Sequence, residues 1–169
     1  LAASEEVVID AMTYANGSAV AEVAVDIDTG EVRLEHLVFA HDCGRALHPR
    51  IVEGQLMGGI AHAIGNSLFE FMAYDEQAQP LTTTLAEYLL VTATEMPKVT
   101  ILHLESPSPL NPLGIKGVGE AGTIPVPAAM ASAIEDALAE FAVKIDRLPV
   151  SPVDILARLQ DQSTVRPST

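Results

Sequence analysis

One glutamate, Glu120, stands inside the run Gly114-Ile115-Lys116-Gly117-Val118-Gly119-Glu120-Ala121-Gly122, which has four glycines in nine residues. Glycines on both sides let backbone crowd a ligand while a single carboxylate projects into the site. A carboxylate partly desolvated there has its pKa pushed up and becomes a usable general base. The plainer alternative is that Glu120 caps a helix beginning near Pro125 or sits exposed in a turn, and residue types alone favour that alternative. Gln55 is the second candidate. Its amide carries both donor and acceptor groups, so it can read the edge of a heteroaromatic ring, although an isolated glutamine is ordinarily a surface residue.

His41, Cys43, His48 and His62 invite a metal reading, but their spacings match no common zinc pattern. Packing and loop chemistry account for them better, and nothing in the sequence organises Cys43 as a nucleophile. Gly117-x-Gly119-x-x-Gly122 formally matches the dinucleotide fingerprint. That pattern needs a strand just before it and a helix opening at once, so that a pyrophosphate sits on the helix N-terminus. Here a proline-rich loop precedes it, Thr123-Ile124-Pro125 follows, and Glu120 would place a carboxylate beside the phosphates.

The whole chain narrows the field further. Its 169 residues suit one domain or two small lobes. Nine Lys and Arg against 23 Asp and Glu give a net charge of −14, a field that repels nucleic acid and anionic membrane surfaces. One cysteine excludes an internal disulfide framework and an iron–sulfur cluster held by this chain alone. The most apolar stretch, Ile51–Phe71, is broken by Glu53, Gln55, His62, Asn66 and Glu70, so no membrane span is expected. The cytoplasm is the expected compartment. The start at Leu1-Ala2-Ala3, without Met, suggests a fragment or a processed piece.

Several elements must position these residues. Val7, Val8, Ile9 and Met12 suggest a strand over Glu6–Tyr14, followed by a turn at Asn16-Gly17. Ala19, Ala21, Val23, Val25 and Ile27 then alternate with Glu22, Ala24 and Asp26. Asp28-Thr29-Gly30 closes a hairpin, and the returning strand places Val32, Leu34, His36 and Val38 on one face. Ile51–Met72 is helical by pattern, with Ile51, Gln55, Ile60, Ile64 and Leu68 along one side. Its Gly54, Gly58, Gly59 and Gly65 each cost about 1 kcal/mol against Ala. Close approach of another backbone or of a bulky ligand is the physical reason to keep them.

Leu85–Thr94 is ambiguous between helix and strand, and Val99–Leu104 reads as a strand. Three prolines in Pro107–Pro112 require a loop. Pro125 and Pro127 suit the first turn of a helix running to about Phe141. A short strand over Lys144–Leu148, a last helix over Pro152–Leu159 and a flexible tail over Gln160–Thr169 complete the reading. Strands and helices mix without regular βαβ alternation, so the fold class is α+β, a small antiparallel sheet with packed helices.

Four blocks together resemble the C-terminal part of the molybdenum-cofactor-binding large subunit of the xanthine oxidase family of molybdenum hydroxylases. That family includes aldehyde oxidoreductases and aerobic carbon monoxide dehydrogenases. The blocks are VDIDTGEV and HDCGRALHP within Ala24–Pro49, IVEGQLMGGIAHAIG at Ile51–Gly65, PSPLNPLGIKGVGEAGTIPVPAA at Pro107–Ala129, and LPVSP at Leu148–Pro152. His48 departs from the asparagine that many relatives carry before the proline.

The resemblance implies that residues 1–159 form the C-terminal part of a molybdopterin-binding domain, as a fragment or split subunit. It further implies that Glu120 is the base acting at a Mo–OH/Mo=S centre, that Gln55 contacts the pterin, and that backbone at Gly117, Val118 and Gly119 lines the pocket. The substrate would be an aldehyde, an N-heterocycle or a similar small molecule. The cofactor would be molybdopterin with molybdenum, in its cytosine dinucleotide form. FAD and [2Fe–2S] clusters would sit on partner chains or domains beside the remainder of the molybdenum subunit. A non-catalytic assembly module of the same fold is the alternative.

Overall fold

The computed structural model describes residues 2–6, 8 and 11–165. Strand β1 spans Asn16–Val25, β2 Val32–Asp42 and β3 Lys98–Leu104. Helix α1 spans Pro49–Leu68, α2 Val126–Ala137 and α3 Pro152–Val165, with a 3₁₀ turn at Ala139–Phe141. The class is α+β, and the sheet order is β1-β2-β3.

The β1–β2 hairpin forms where the alternation places it. Asp26 organises its turn, with Oδ1 accepting from Asp28 N at 2.9 Å and Thr29 N at 3.0 Å. Gly30 adopts φ +76°, and a Cβ there would lie 2.2 Å from the Pro152 carbonyl oxygen, so the hairpin tip rests against the start of α3. The strand expected over Glu6–Tyr14 is absent among the described residues, and residues 7, 9 and 10 lie outside them. Asn16 and Gly17 do not turn; they open β1, opposite Asp42 and His41.

Two corrections concern the sheet. The antiparallel pair is joined by β3 in parallel, from His36↔Lys98 to Asp42↔Leu104, so the sheet is mixed. The register also shifts between Glu22 and Val23, which pair with His36 and Leu34 and leave Glu35 as the extra residue. One extra residue reverses every side chain beyond it. Leu34 therefore shares the core face with Leu37, Phe39 and His41, not with His36 and Val38. His36 instead bonds the Thr100 hydroxyl at 2.9 Å.

Helix α1 starts earlier and stops sooner than its pattern suggests. His48 caps it, with Nδ1 accepting from Ile51 N at 3.4 Å, and Pro49 fills the first turn. At the other end the Phe69 and Glu70 amides both bond the Gly65 carbonyl, and the Glu70 carboxylate occupies the space where a Gly65 side chain would stand. Val52, Leu56, Ile60, Ala63 and Ile64 form the buried face, while Ile51 and Gln55 are exposed. That face, with Leu37 and Phe39 of β2 and Val126 and Met130 of α2, makes the first core cluster. A second cluster gathers Ile134, Leu138, Val143, Val150 and Ile155 at the other end of α2.

Residues 85–94 form turns without a strand or an α-helix. Lys144–Leu148 is not a strand either. The Glu135 carboxylate accepts from Ile145 N at 2.7 Å and Arg158 donates to the Lys144 carbonyl at 2.7 Å, so side chains take the backbone groups a ladder would need. Ser151 and Asp154 form a capping box for α3: Ser151 N and Oγ donate to Asp154 Oδ2 at 3.0 and 2.6 Å, and Asp154 N donates back to Ser151 Oγ at 3.2 Å. The Ser151 bonds lower the Asp154 carboxyl pKa to about 2. Helix α3 continues to Val165, past the boundary expected at Leu159; residues 166–169 of the expected tail lie outside the described residues.

Candidate functional site

The glycine-rich loop docks on α1 through two glycines. A Cβ on Gly122 would stand 2.5 Å from the Leu56 carbonyl oxygen and 2.8 Å from Ile60 N, and one on Gly59 would stand 3.0 Å from Gly122 Cα. The Thr123 hydroxyl donates to the Gly59 carbonyl at 3.3 Å. Only backbone against backbone fits there. Val118 and Ala121 pack on the first core cluster and hold the loop's inner side. The Glu120 carbonyl accepts from Thr123 N at 3.0 Å and Ile124 N at 3.2 Å, which turns the chain toward α2.

This docking brings Gln55 and Glu120 onto one cleft of about 410 Å³, together with Gly54, Gly58, His62 and Gly119. Gln55 and His62 are two helical turns apart on one face. A Cβ on Gly54, Gly58 or Gly119 would meet nothing within 4 Å, so these positions leave room over exposed backbone. Gly117 opens beside Glu120 on a neighbouring cleft of about 380 Å³, walled by Met12, Thr13 and Tyr14. Val118 turns its side chain to the core, so only its backbone can face a ligand.

Several alternatives fall away. The N-cap of α2 is Pro125 with no side-chain cap bond, so Glu120 does not cap that helix. No strand leads into Gly117-x-Gly119-x-x-Gly122, since β3 ends at Leu104, and Gly122 is pressed on α1 rather than open to a pyrophosphate. His41 is buried at the end of β2, and its Nε2 lies 2.9 Å from His103 Nδ1. Burial lowers the His41 pKa and raises that of the Cys43 thiol, which leaves Cys43 a poor nucleophile. Among the described residues no three His, Cys, Asp or Glu side chains converge on a metal position. Glu120 itself is exposed in a turn, which is the other half of the plainer alternative, so the desolvation a general base needs must come from what covers the cleft.

The loop's other end carries a contact that sequence reasoning did not join. Asp42, at the end of β2, accepts at Oδ1 from Gly44 N at 2.7 Å, Ser106 N at 3.1 Å and Lys116 Nζ at 3.4 Å. The Ser106 hydrogen bond, with those from Gly44 and Lys116, holds its carboxyl well below the usual carboxylate range despite burial. Lys116 N donates to the Cys43 carbonyl at 2.8 Å and Arg45 N to the Gly114 carbonyl at 2.9 Å.

Comparison with known proteins decides the family. The model of the molybdopterin cofactor-binding domain matches residues 3–97. The chain belongs to the molybdopterin cofactor-binding domain family. It is 42% identical over 161 residues, 95% of its length, to the 6-hydroxypseudooxynicotine dehydrogenase complex subunit gamma of Paenarthrobacter nicotinovorans, of which it covers 20%. It is 34% identical over 128 residues to the carbon monoxide dehydrogenase large chain of Afipia carboxidovorans, covering 76% of this chain and 16% of that one. The structure of quinoline 2-oxidoreductase from Pseudomonas putida 86 superposes on 90% of this chain with TM-score 0.85 and 45% identity, covering 19% of that chain.

The xanthine oxidase family resemblance drawn from the four sequence blocks is borne out. The chain spans about a fifth of the length of the relatives it matches. Its cleft suits an organic cofactor that brings its own metal: an amide for a heteroaromatic edge, bare backbone at three glycines, and one free-standing carboxylate.

Proposed function

We propose that this chain forms one wall of the active site of a molybdenum hydroxylase, an oxidoreductase acting on an aldehyde, an N-heterocycle or a similar small substrate. The observation that carries the reading is the shared cleft of Gln55 and Glu120, lined by glycines whose missing side chains leave room for a bulky ligand. Gln55 would bind the pterin through its amide, with backbone at Gly117, Val118 and Gly119 against the same group. When bound, molybdopterin supplies the two-electron redox chemistry at its molybdenum. Glu120 supplies what that chemistry needs from protein, a carboxylate oxygen that accepts a proton beside the reacting centre.

The remaining parts of the reading rest on family resemblance. They are the cytosine dinucleotide form of the cofactor, FAD and [2Fe–2S] on partner chains, and the rest of the molybdenum subunit as neighbour. Between α1 and β3, Phe71, Leu81, Leu85, Leu89 and Leu90 each expose more than half of their surface, apolar area that suits coverage by such a neighbour. Among the described residues no helix is long and apolar enough to cross a membrane.

The test is Glu120→Gln in the assembled enzyme. The substitution keeps the size and much of the hydrogen bonding but cannot take up the proton. The reductive half-reaction should slow by at least ~10²-fold while molybdenum content stays near that of the parent. A variant as fast as its parent at every pH would overturn the assignment of Glu120 and leave the assembly-module reading in its place.

A further inference from the structure

We infer that Asp42 is a positioning residue for Glu120: from the end of β2 its carboxylate grips the loop at Lys116 and Ser106 and so sets where Glu120 stands in the cleft. The inference rests on the role proposed for Glu120. Asp42 is 4% exposed, and in the pair the Lys116 side chain is 10% exposed and that of Asp42 6%. A buried ammonium depends on its partner, because removing one member leaves the other charge uncompensated.

The geometry shows how a change at Asp42 reaches Glu120. The loop is pinned at Lys116 and again at Gly122, where it meets the α1 backbone. Between the pins lie Gly117, Val118, Gly119, Glu120 and Ala121. A Cβ on either glycine would touch nothing, so a displacement that starts at Lys116 is resisted by the apolar packing of Val118 and Ala121 and by local turn bonds, from Ala121 N to the Val118 carbonyl and from Thr123 N and Ile124 N to the Glu120 carbonyl. Backbone bonds near the first pin run parallel to it, from Lys116 N to the Cys43 carbonyl and from Arg45 N to the Gly114 carbonyl. Asn111 holds the neighbouring Ile115 backbone through its amide; the Asp42 carboxylate is the side chain that grips Lys116, and its length fixes the reach.

Two variants of the assembled enzyme test this. Asp42→Glu keeps the charge and every acceptor but lengthens the reach by one methylene. Lys116→Met keeps the stem and removes the ammonium, leaving Asp42 its bonds from Gly44 and Ser106. In each, kcat per bound molybdenum should fall at least ~10-fold with KM within about twofold, as displacement of a catalytic group predicts. Amide hydrogen exchange over 117–122 should rise at least ~10-fold while α3 keeps its protection; this second readout serves where a variant loads little molybdenum. A purely structural role would lower melting temperature and yield but leave turnover per molybdenum and loop exchange at parental values, and that outcome overturns the inference. Parental behaviour of both variants beside a slow Glu120→Gln enzyme would sink the positioning role alone. A Glu120→Gln enzyme of parental speed would instead remove the reading beneath it.

Discussion

The two ends of α2 lie against opposite kinds of structure. Near its start, the loop that leads into it crosses α1 with glycine against glycine, and beside that crossing lies a cleft where side chains are missing or exposed. At its far end, Ile134 and Leu138 meet Val143, Val150 and Ile155 in a closed apolar cluster, and α3 begins with a fully bonded capping box. The far end is held by burial, which is non-directional and roughly proportional to area. The cleft end is buried too, through Val126 and Met130 in the larger cluster, but it adds the glycine crossing and a few directed bonds, which fix position more than they add stability. Both ends contribute burial, and only the cleft end also sets where Glu120 stands.

Substitutions at each end should separate these contributions, and the largest effect belongs to the cleft. Gly122→Val puts a branched side chain where the α1 backbone stands 2.5 Å away, and backbone on both sides cannot yield. The loop should lift, and turnover per molybdenum in the assembled enzyme should drop by ~10²-fold, the scale expected for a catalytic group misplaced by about 1 Å. Stopped-flow reduction by substrate measures it. Retention of parental turnover would mean that the crossing does not position the loop.

Leu138→Ala probes the other end. Leu138 is fully buried, so truncation should cost about 2–5 kcal/mol in urea unfolding, through lost transfer free energy and a residual cavity. Turnover per molybdenum should be unchanged. A matching loss of turnover would show that the two ends are coupled.

The smallest effect has the opposite sign. A Cβ on Gly58 meets nothing, and no positive φ requires glycine there. Gly58→Ala should therefore stabilise α1 by about 0.5–1 kcal/mol. It should also lower molybdenum content, because the methyl group occupies space over the cleft. Higher stability together with full molybdenum content would show that the cofactor does not lie against this part of α1.

What the sequence reveals follows the same division. Hairpin alternation, the Asp28-Thr29-Gly30 turn, the proline-marked start of α2 and the glycine excess of α1 are local signals, and each corresponds to an element of the structure. Reading Gln55 and Glu120 as one site depended on resemblance, since no periodicity joins the two segments; their common cleft appears only in three dimensions. The inversion of His36 and Val38 came from the register shift at Glu22/Val23, whose extra residue lies on β2 and is decided by pairing with the other strand. Asp42 and Lys116 were visible as residues but not as partners. The His-Asp-Cys-Gly and Gly-Ile-Lys-Gly segments lie far apart in sequence, and only the parallel placement of β3 beside β2 brings Ser106 and then Lys116 to the end of β2. A lone histidine in a short strand gives no sign of its partner, so the contact of His103 with the His41 imidazole is not legible in the sequence.

That parallel placement also orders events in time. The β1–β2 hairpin needs only the closure of a short turn, an event of about 1–10 μs. Strand β3 reaches β2 only after the ends of the long segment 43–97, helix α1 included, have come together, and contacts of such sequence separation form late. Each bond from Asp42 to Ser106 or Lys116 waits on that closure. Pulse-labelled hydrogen exchange during refolding should therefore find the amides of 16–25 and 32–41 protected before those of 98–104. A nascent chain would then pass through a stage with its hairpin made and the clasp at Asp42 still open.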